Sequence, residues 1–149
     1  MSEMESIRAF LNQKNIAVAG VSRKKSKFGN AIFKELSNKG YNLYPVNPNM
    51  QEYEGKRCYP DINSLPEEVT GIVINTRDEI TQKLVADAGN KGIRHIWLQQ
   101  GSLSKKSLEE SWIYKENTIS GHCILMFADP KGIHGFHKWL KKSFGKFPN

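Results

Sequence analysis

Residues 16–29 read Ile-Ala-Val-Ala-Gly-Val-Ser-Arg-Lys-Lys-Ser-Lys-Phe-Gly, and this stretch decides the fold class. Residues 16–19 form an unbroken apolar run, which is typical of a strand buried on both faces of a parallel sheet. Gly20 ends the run and a polar loop follows. The next apolar residues recur at helical spacing on one face, at Phe28, Ile32, Phe33 and Leu36. A strand that leads through a loop into a helix is the basic unit of an α/β domain.

The rest of the chain repeats this alternation. Further strands are predicted at Tyr41–Val46, Gly71–Asn75, Ile93–Leu98 and, more weakly, Thr118–Ser120. Further helices are predicted at Met4–Leu11, from Thr76 to Gly92, at Ser104–Tyr114 and from Asp129 onward. Right-handed crossovers between such strands predict a Rossmann-like, doubly wound, mostly parallel five-stranded sheet with helices on both faces.

Several local features are predicted along with this order. Gly40 stands where a left-handed helix end is expected, and Gly92 is expected to end the helix that begins after Thr76. Thr76 is predicted to cap the next helix, with Glu79 as its capping-box partner. Ile80, Leu84 and Ala88 are spaced by four and are expected to face the core. Residues 49–68 read as a long connection with one short strand at Arg57–Tyr59.

Length and composition describe a single globular domain, 1–149, in which residues 129–149 form a C-terminal helical extension. The longest apolar runs have about six residues, far below the roughly 20 that a membrane helix needs. The N-terminus has no apolar segment of the secretory type. Two cysteines provide neither a disulfide framework nor a zinc set, so a cytoplasmic location is expected.

The net charge of +7 favours an anionic partner. One basic cluster lies inside the first loop, at Arg23, Lys24, Lys25 and Lys27. A second lies near the C-terminus, where Ile133, Phe136 and Leu140 suggest only an amphipathic helix with a wet face. No nucleic-acid-binding motif accompanies either cluster, so a nucleic-acid partner is not favoured.

In doubly wound sheets, ligands bind beyond the carboxyl ends of the strands. The loops to inspect are therefore residues 20–27, 47–48, 75–77 and 99–102. In the first loop, Gly20 permits a sharp turn, and the helix that follows directs its amino end and dipole at the loop, which favours a phosphate. The loop lacks the Walker A pattern and the three-glycine dinucleotide pattern. The second strand ends at Asn47-Pro48, without the acid that usually holds the ribose of a nicotinamide cofactor.

Six fragments, taken together, point to a family. They are Ile16–Arg23, Lys27–Gly29, Gly40–Pro48, Gly55–Pro60, Trp97–Gly101 and Cys123–Met126. In order and spacing they resemble the stand-alone CoA-binding proteins, which are similar to the N-terminal domain of the succinyl-CoA synthetase alpha subunit. The resemblance covers about residues 16–126. It differs after the third strand, where many members have two prolines and this chain has Asn75-Thr76-Arg77.

The resemblance implies a role for each loop. Gly20, Ser22, Arg23 and Lys27 would hold the phosphates of the nucleotide, Asn47 and Pro48 would flank the adenosine, and the loops after strands three and four would line the pantetheine path. The full predicted cofactor-binding set is Gly20, Val21, Ser22, Arg23, Lys27, Phe28, Gly29, Asn47, Pro48, Asn75, Thr76, Arg77, Gln100 and Gly101.

The function predicted from the loops and the resemblance is the binding of coenzyme A or an acyl-CoA without catalysis. The synthetases use a phosphorylated histidine in a second domain, which is not expected in this chain, so we expect no enzyme activity. Two alternatives stay open: a small NAD(P)-dependent enzyme and a nucleotide-sensing regulatory module. The ligand in each case is a small nucleotide, no membrane partner is expected, and exposed faces are compatible with a homo-oligomer.

The remaining reactive residues support no further site. His134 and His137 lie three residues apart, but no third metal ligand is visible near them, so no metal site is predicted. Cys123 is expected to be a buried structural residue because it opens an apolar run. Cys58 is expected in an exposed connection, where a mixed disulfide with a thiol cofactor is conceivable.

Overall fold

The computed structural model describes residues 2–24, 27–102 and 118–128. The elements follow in the order α1 (Glu3–Leu11), β1 (Asn15–Ala19), α2 (Phe28–Asn38), β2 (Asn42–Val46), β3 (Glu52–Tyr53), β4 (Lys56–Arg57), β5 (Gly71–Ile74), α3 (Asp78–Lys91), β6 (His95–Gln99), β7 (Thr118–His122) and α4 (Leu125–Ala128). The predictions for Lys25, for the helix Ser104–Tyr114 and for the extension 129–149, with His134 and His137, fall outside these residues.

Five strands form one parallel sheet in the order β2-β1-β5-β6-β7. The chain moves from β1 to β2 on one side and then crosses back to β5 on the other side. The gap above β1 and β5 is therefore a topological switch point, where the loops on either side diverge and leave room for a ligand. The predicted doubly wound Rossmann-like sheet is confirmed.

Alternate residues of β1 belong to two different cores. Ile16 and Val18 pack with residues of α1 and α2, whereas Ala17 and Ala19 pack with residues of α3 and of the segment before β5. All four are at most 2% exposed, so the strand is buried on both faces as its apolar run predicts. This double burial fixes the level at which β1 ends and its loop begins.

The connection between β2 and β5 is more ordered than the sequence predicts. In place of one strand at Arg57–Tyr59 it contains a short hairpin, in which β3 pairs antiparallel with β4. Glu54 and Gly55 both have positive φ, 50° and 76°, which suits the two central residues of a tight hairpin turn. The strands are too short and too polar for periodicity to reveal them.

The predicted starts of α3 and β6 are wrong, and the predicted buried face of α3 is right in part. Arg77, not Thr76, is the N-cap residue, and it makes no side-chain cap hydrogen bond. The Thr76 hydroxyl instead lies 2.7 Å from that of Thr81. Of the residues expected to face the core, Ala88 is buried and Leu84 packs against the core while partly exposed. Ile80 is 41% exposed, and Thr81 and Val85 are buried with Ala88.

The start of β6 is also two residues later than predicted. Ile93 is buried, but its side chain packs at the end of α3 and the residue is not part of the strand. Gly92 ends α3 in the left-handed region with φ of 91°, and the Ile93 amide donates to the Ala88 carbonyl at 2.9 Å. A hydrophobic residue after a glycine helix end commonly packs back on its helix.

Candidate functional site

The loop after β1 is closed by two glycines that touch. We call it the β1–α2 loop, residues 20–27, of which 25 and 26 lie outside the described residues. A Cβ atom on Gly29 would overlap the carbonyl group of Gly20. A Cβ atom on Gly20 would lie 2.5 Å from the backbone carbonyl oxygen of Asn75. Gly20 also has φ of +128°, which L-residues with side chains rarely adopt. Only glycine at both positions lets the helix start this close to the strand.

The amino end of α2 is suited to an anion. Its N-cap residue, Lys27, makes no side-chain cap hydrogen bond, and its first turn contains no acidic residue. The first amides of a helix have no partner within the helix, and the helix dipole adds partial positive charge there. The amino end of α3 differs, since Asp78 and Glu79 already supply negative charge in its first turn.

Asn30 holds the β1–α2 loop in shape, and sequence reasoning missed it. Its Oδ1 accepts from the Ser22 amide at 2.9 Å and from the Tyr53 hydroxyl at 2.7 Å. Its Nδ2 donates to the carbonyls of Ser22 at 2.9 Å and Lys24 at 2.8 Å. These four bonds use both acceptor sites and both donors of the amide group. An asparagine in the first turn of a helix after a polar loop is the only sequence signal for this role.

The loop after β2 is tied to the β1–α2 loop. Asn47 Nδ2 donates to the Val21 carbonyl at 2.8 Å, while Asn47 Oδ1 accepts from the Asn49 amide at 2.7 Å. The Arg23 guanidinium donates to the Asn49 carbonyl. The structure therefore brings Asn47 and Arg23 together as predicted, but Asn47 braces the loop rather than presenting its amide to the open edge.

The loop after β5 also meets the β1–α2 loop. The backbone amide of Asn75 donates to the Ala19 carbonyl at 2.8 Å, and the backbone carbonyl oxygen of Asn75 lies beside Gly20. Thr76 is occupied by its contact with Thr81. Arg77 is exposed at the start of α3, which packs on the opposite face of the sheet from α2.

Gln100 and Gly101 lie one strand further along the edge. They follow β6, whose loop is joined to β5 through the Ser102 hydroxyl, which donates to the Ile74 carbonyl at 3.1 Å. The neighbouring Gln99 is 3% exposed, and its Oε1 accepts from the Ile124 amide at 3.1 Å. Gln99 and Ser102 are buried polar residues that sequence reasoning did not single out. They set the level at which this loop leaves the sheet.

Two clefts open beside the β1–α2 loop. One, of about 890 Å³, lies between α2 and the β3–β4 hairpin, and Ser22, Arg23 and Asn30 line its inner part. The other, of about 550 Å³, is lined by the residues around Pro48, Arg57 and Pro60. Met50 borders both clefts. Of the predicted phosphate and adenosine residues, Ser22, Arg23 and Pro48 line these clefts.

Both cysteines are buried, so the prediction of an exposed Cys58 is wrong. Cys58 is 4% exposed and Cys123 is 1% exposed. The Cys58 thiol donates to the Asn47 carbonyl at 3.7 Å because residues 58–59 return beside β2. Burial is the main cause that raises the pKa of both thiols. A buried thiol with a raised pKa is a poor nucleophile at neutral pH.

We expect both thiols to react slowly with Ellman's reagent in the native protein. Each raised pKa lowers the thiolate fraction at pH 8, so labelling is expected to be at least about tenfold slower than for a free cysteine and to accelerate with rising pH. The variants Cys58→Ala and Cys123→Ala report on the remaining thiol separately, and labelling in denaturant is the control. Rapid labelling of the native Cys123→Ala variant at pH 7 would show that Cys58 is reactive.

Other groups in the described residues do not form a second reactive centre at this edge. No group of three or more His, Cys, Asp or Glu in the described ranges is arranged to hold a metal ion. His122 Nε2 is engaged by the Glu3 carboxylate. In the part of the chain that the structure describes, no helix is both long and apolar enough to span a membrane.

Known proteins resemble this chain in sequence and in fold. Residues 14–129 match the CoA binding domain family. The chain is 27% identical over 146 residues to the alpha subunit of ADP-forming acetate–CoA ligase II from Pyrococcus furiosus. The alignment covers 91% of this chain and 30% of that protein. The chain thus spans less than a third of the length of this curated relative.

Two small solved structures are matched over most of their length. A conserved hypothetical protein from Pyrococcus furiosus superposes with a TM-score of 0.71 at 32% identity, covering 76% of this chain and 97% of that one. A hypothetical protein from Pyrococcus horikoshii superposes with a TM-score of 0.72 at 27% identity, covering 83% and 87%. Since the family match runs from the residue before β1 to the residue after α4, it takes in every element that builds the site, and this chain belongs to the CoA-binding domain family.

Proposed function

We propose that this chain binds coenzyme A or an acyl-CoA through the β1–α2 loop without transforming it. The observation that carries the proposal is the amino end of α2, which is free of acids and has Lys27 as its N-cap residue. The contact between Gly20 and Gly29 draws that helix end against the strand edge. A pyrophosphate placed there would meet backbone amides, the helix dipole and the cations of the loop.

The charge pattern at this edge favours CoA, whose ribose carries a phosphate, over NAD, whose ribose carries none. Asn47 directly follows β2, and no carboxylate takes that position. The side-chain amide of Asn47 is bound within the loops. The usual ribose-binding acid of a nicotinamide site is therefore missing there. Arg23 and Lys27 instead suit a nucleotide that carries an additional phosphate on its ribose.

Binding without chemistry agrees with the groups at this edge. Amides, hydroxyls and cations can hold an anion, whereas the two thiols are buried and have raised pKa values. Incubation of the protein with acetyl-CoA should therefore leave the thioester unchanged when it is followed by chromatography. Hydrolysis or acyl transfer above the rate without protein would contradict this part of the proposal.

A thermal-shift series tests the ligand. We expect CoA at 100 times its dissociation constant to stabilise the protein by about 2.7 kcal/mol, which corresponds to a rise in melting temperature of about 5–10 °C. 3′-Dephospho-CoA should give a smaller rise, because it lacks the ribose phosphate that the cations would pair with. NAD, NADP and ATP serve as comparison ligands at the same salt concentration. A shift with NAD or NADP and none with CoA would favour a nicotinamide-dependent enzyme instead.

A further inference from the structure

The side chains of Tyr53 and Asn30 link the β3–β4 hairpin to the β1–α2 loop. Tyr53 lies on β3, and its hydroxyl donates to Asn30 Oδ1 at 2.7 Å. The same oxygen accepts from the Ser22 amide at 2.9 Å. Tyr53 and Ser22 are 31 positions apart in the chain, so the hairpin and the loop meet here only because of the tertiary fold.

The position of Tyr53 is set independently of this hydrogen bond. Its ring packs edge-to-face on Phe33, with a centroid distance of 4.9 Å and an interplanar angle of 87°. Burial, followed by the charge of Glu54, raises the pKa of Tyr53, so its hydroxyl remains a donor at neutral pH. Phe33 lies on α2 and belongs to the core, so this packing places the Tyr53 hydroxyl beside Asn30 of the same helix.

The Asn30 amide has no spare capacity. Its oxygen accepts hydrogen bonds from the Tyr53 hydroxyl and the Ser22 amide, and its nitrogen donates to the carbonyls of Ser22 and Lys24. Every donor and acceptor of the side chain is therefore used. Loss of the Tyr53 bond removes one of the four hydrogen bonds that orient the amide plane. A rotation of that plane would shift both the amide and the carbonyl of Ser22, which is one of the predicted phosphate ligands.

We propose that Asn30 and Tyr53 are positioning residues that set the geometry of the β1–α2 loop for the phosphates of the bound nucleotide. The proposal deepens the proposed function and rests on it. Tyr53 and Asn30 act through the backbone of Ser22–Lys24, so they affect ligand affinity without any direct contact being required. The hairpin thereby contributes to the site although its strands lie outside the five-stranded sheet.

The test measures the dissociation constant for CoA by isothermal titration calorimetry. Tyr53→Phe retains the ring packing on Phe33 and removes only the hydroxyl, and we expect it to weaken CoA binding about three- to tenfold. Asn30→Leu keeps a side chain of similar size, adds no charge and removes all four hydrogen bonds of the amide, and we expect a loss of more than about tenfold.

Tyr41→Phe is the matched control. The Tyr41 hydroxyl donates to the Leu11 carbonyl at 2.7 Å, away from the loop, so this variant loses an equivalent hydrogen bond without disturbing Asn30. Its melting temperature should fall by an amount similar to that of Tyr53→Phe, while its affinity for CoA stays at the wild-type value.

The outcomes separate this inference from the proposed function. If Tyr53→Phe melts lower but binds CoA with wild-type affinity, as Tyr41→Phe should, Tyr53 is only structural and the inference is overturned while CoA binding stands. If the wild-type protein does not bind CoA, the proposed function fails and the inference fails with it. Circular dichroism of each variant verifies that the protein titrated is folded.

Discussion

Replacing Gly29 by alanine is expected to lower the free energy of unfolding by about 3 kcal/mol and to abolish CoA binding. The added Cβ would overlap the carbonyl group of Gly20, which is backbone and cannot rotate away as a flexible side chain could. Relief requires α2 to move away from the end of β1. That movement would draw the amino end of α2 away from the place where the phosphates are proposed to bind.

Gly71→Ala is the control for this substitution. Gly71 is the first residue of β5 and lies at the end of the strands opposite the site. A Cβ atom there would lie 3.4 Å from Phe10 Cε2, which is an ordinary contact. Its melting temperature should change far less, and its affinity for CoA should not change. Denaturant unfolding and titration with CoA check both variants. Wild-type stability and affinity in Gly29→Ala would show that the close contact of Gly29 with Gly20 is not needed.

The second large effect is expected from removing the polar groups of the loop together. The variant Ser22→Ala/Arg23→Gln/Lys27→Gln should weaken CoA binding by at least about a thousandfold, because charge-assisted hydrogen bonds to a phosphate contribute roughly 1.5–3 kcal/mol each. Its fold should persist, since Arg23 and Lys27 are exposed and Ser22 makes its contacts to Asn30 through its backbone. Among the described residues, the variant loses only two exposed hydrogen bonds, from Arg23 to the Asn49 carbonyl and from the Lys24 amide to the Ser22 hydroxyl.

A charge-matched variant shows whether the loss belongs to the site or to the net charge. Lys14→Gln/Arg94→Gln also removes two cations. These precede β1 and β6, at the end of the strands opposite the β1–α2 loop. We expect its dissociation constant for CoA to remain within about twofold of the wild type. Equal losses in the two variants would attribute binding to the overall charge of +7 and would refute the assignment of the loop.

Much of the fold could be predicted because the signals are local. The apolar run of β1 shows a strand buried on both faces, and the helical spacing of Ile32, Phe33 and Leu36 shows the buried face of α2. The prediction for α3 failed at its first turn, where Thr81 rather than Ile80 is buried, whereas Ala88 is buried as predicted. The hairpin β3–β4 failed for a different reason, since strands of two residues have no periodicity.

The candidate site divides in the same way. The general rule for doubly wound sheets was enough to select the loops after β1, β2, β5 and β6. Asn30 and Tyr53 could not be selected, because their importance comes from hydrogen bonds between segments far apart in the chain. The same reason explains Cys58, which is buried only because its segment returns beside β2.

The sequence by itself determined the strand-and-helix order, the basic loop after the first strand and the two glycines that bound it. These properties follow from residue type and spacing, which act within a few residues. Only the tertiary structure decided that Gly29 contacts Gly20, that Asn47 braces the loop, and that Tyr53 reaches Asn30 from the hairpin. Such contacts join residues that the sheet order brings together, and the physical reason is packing across the sheet edge rather than local propensity.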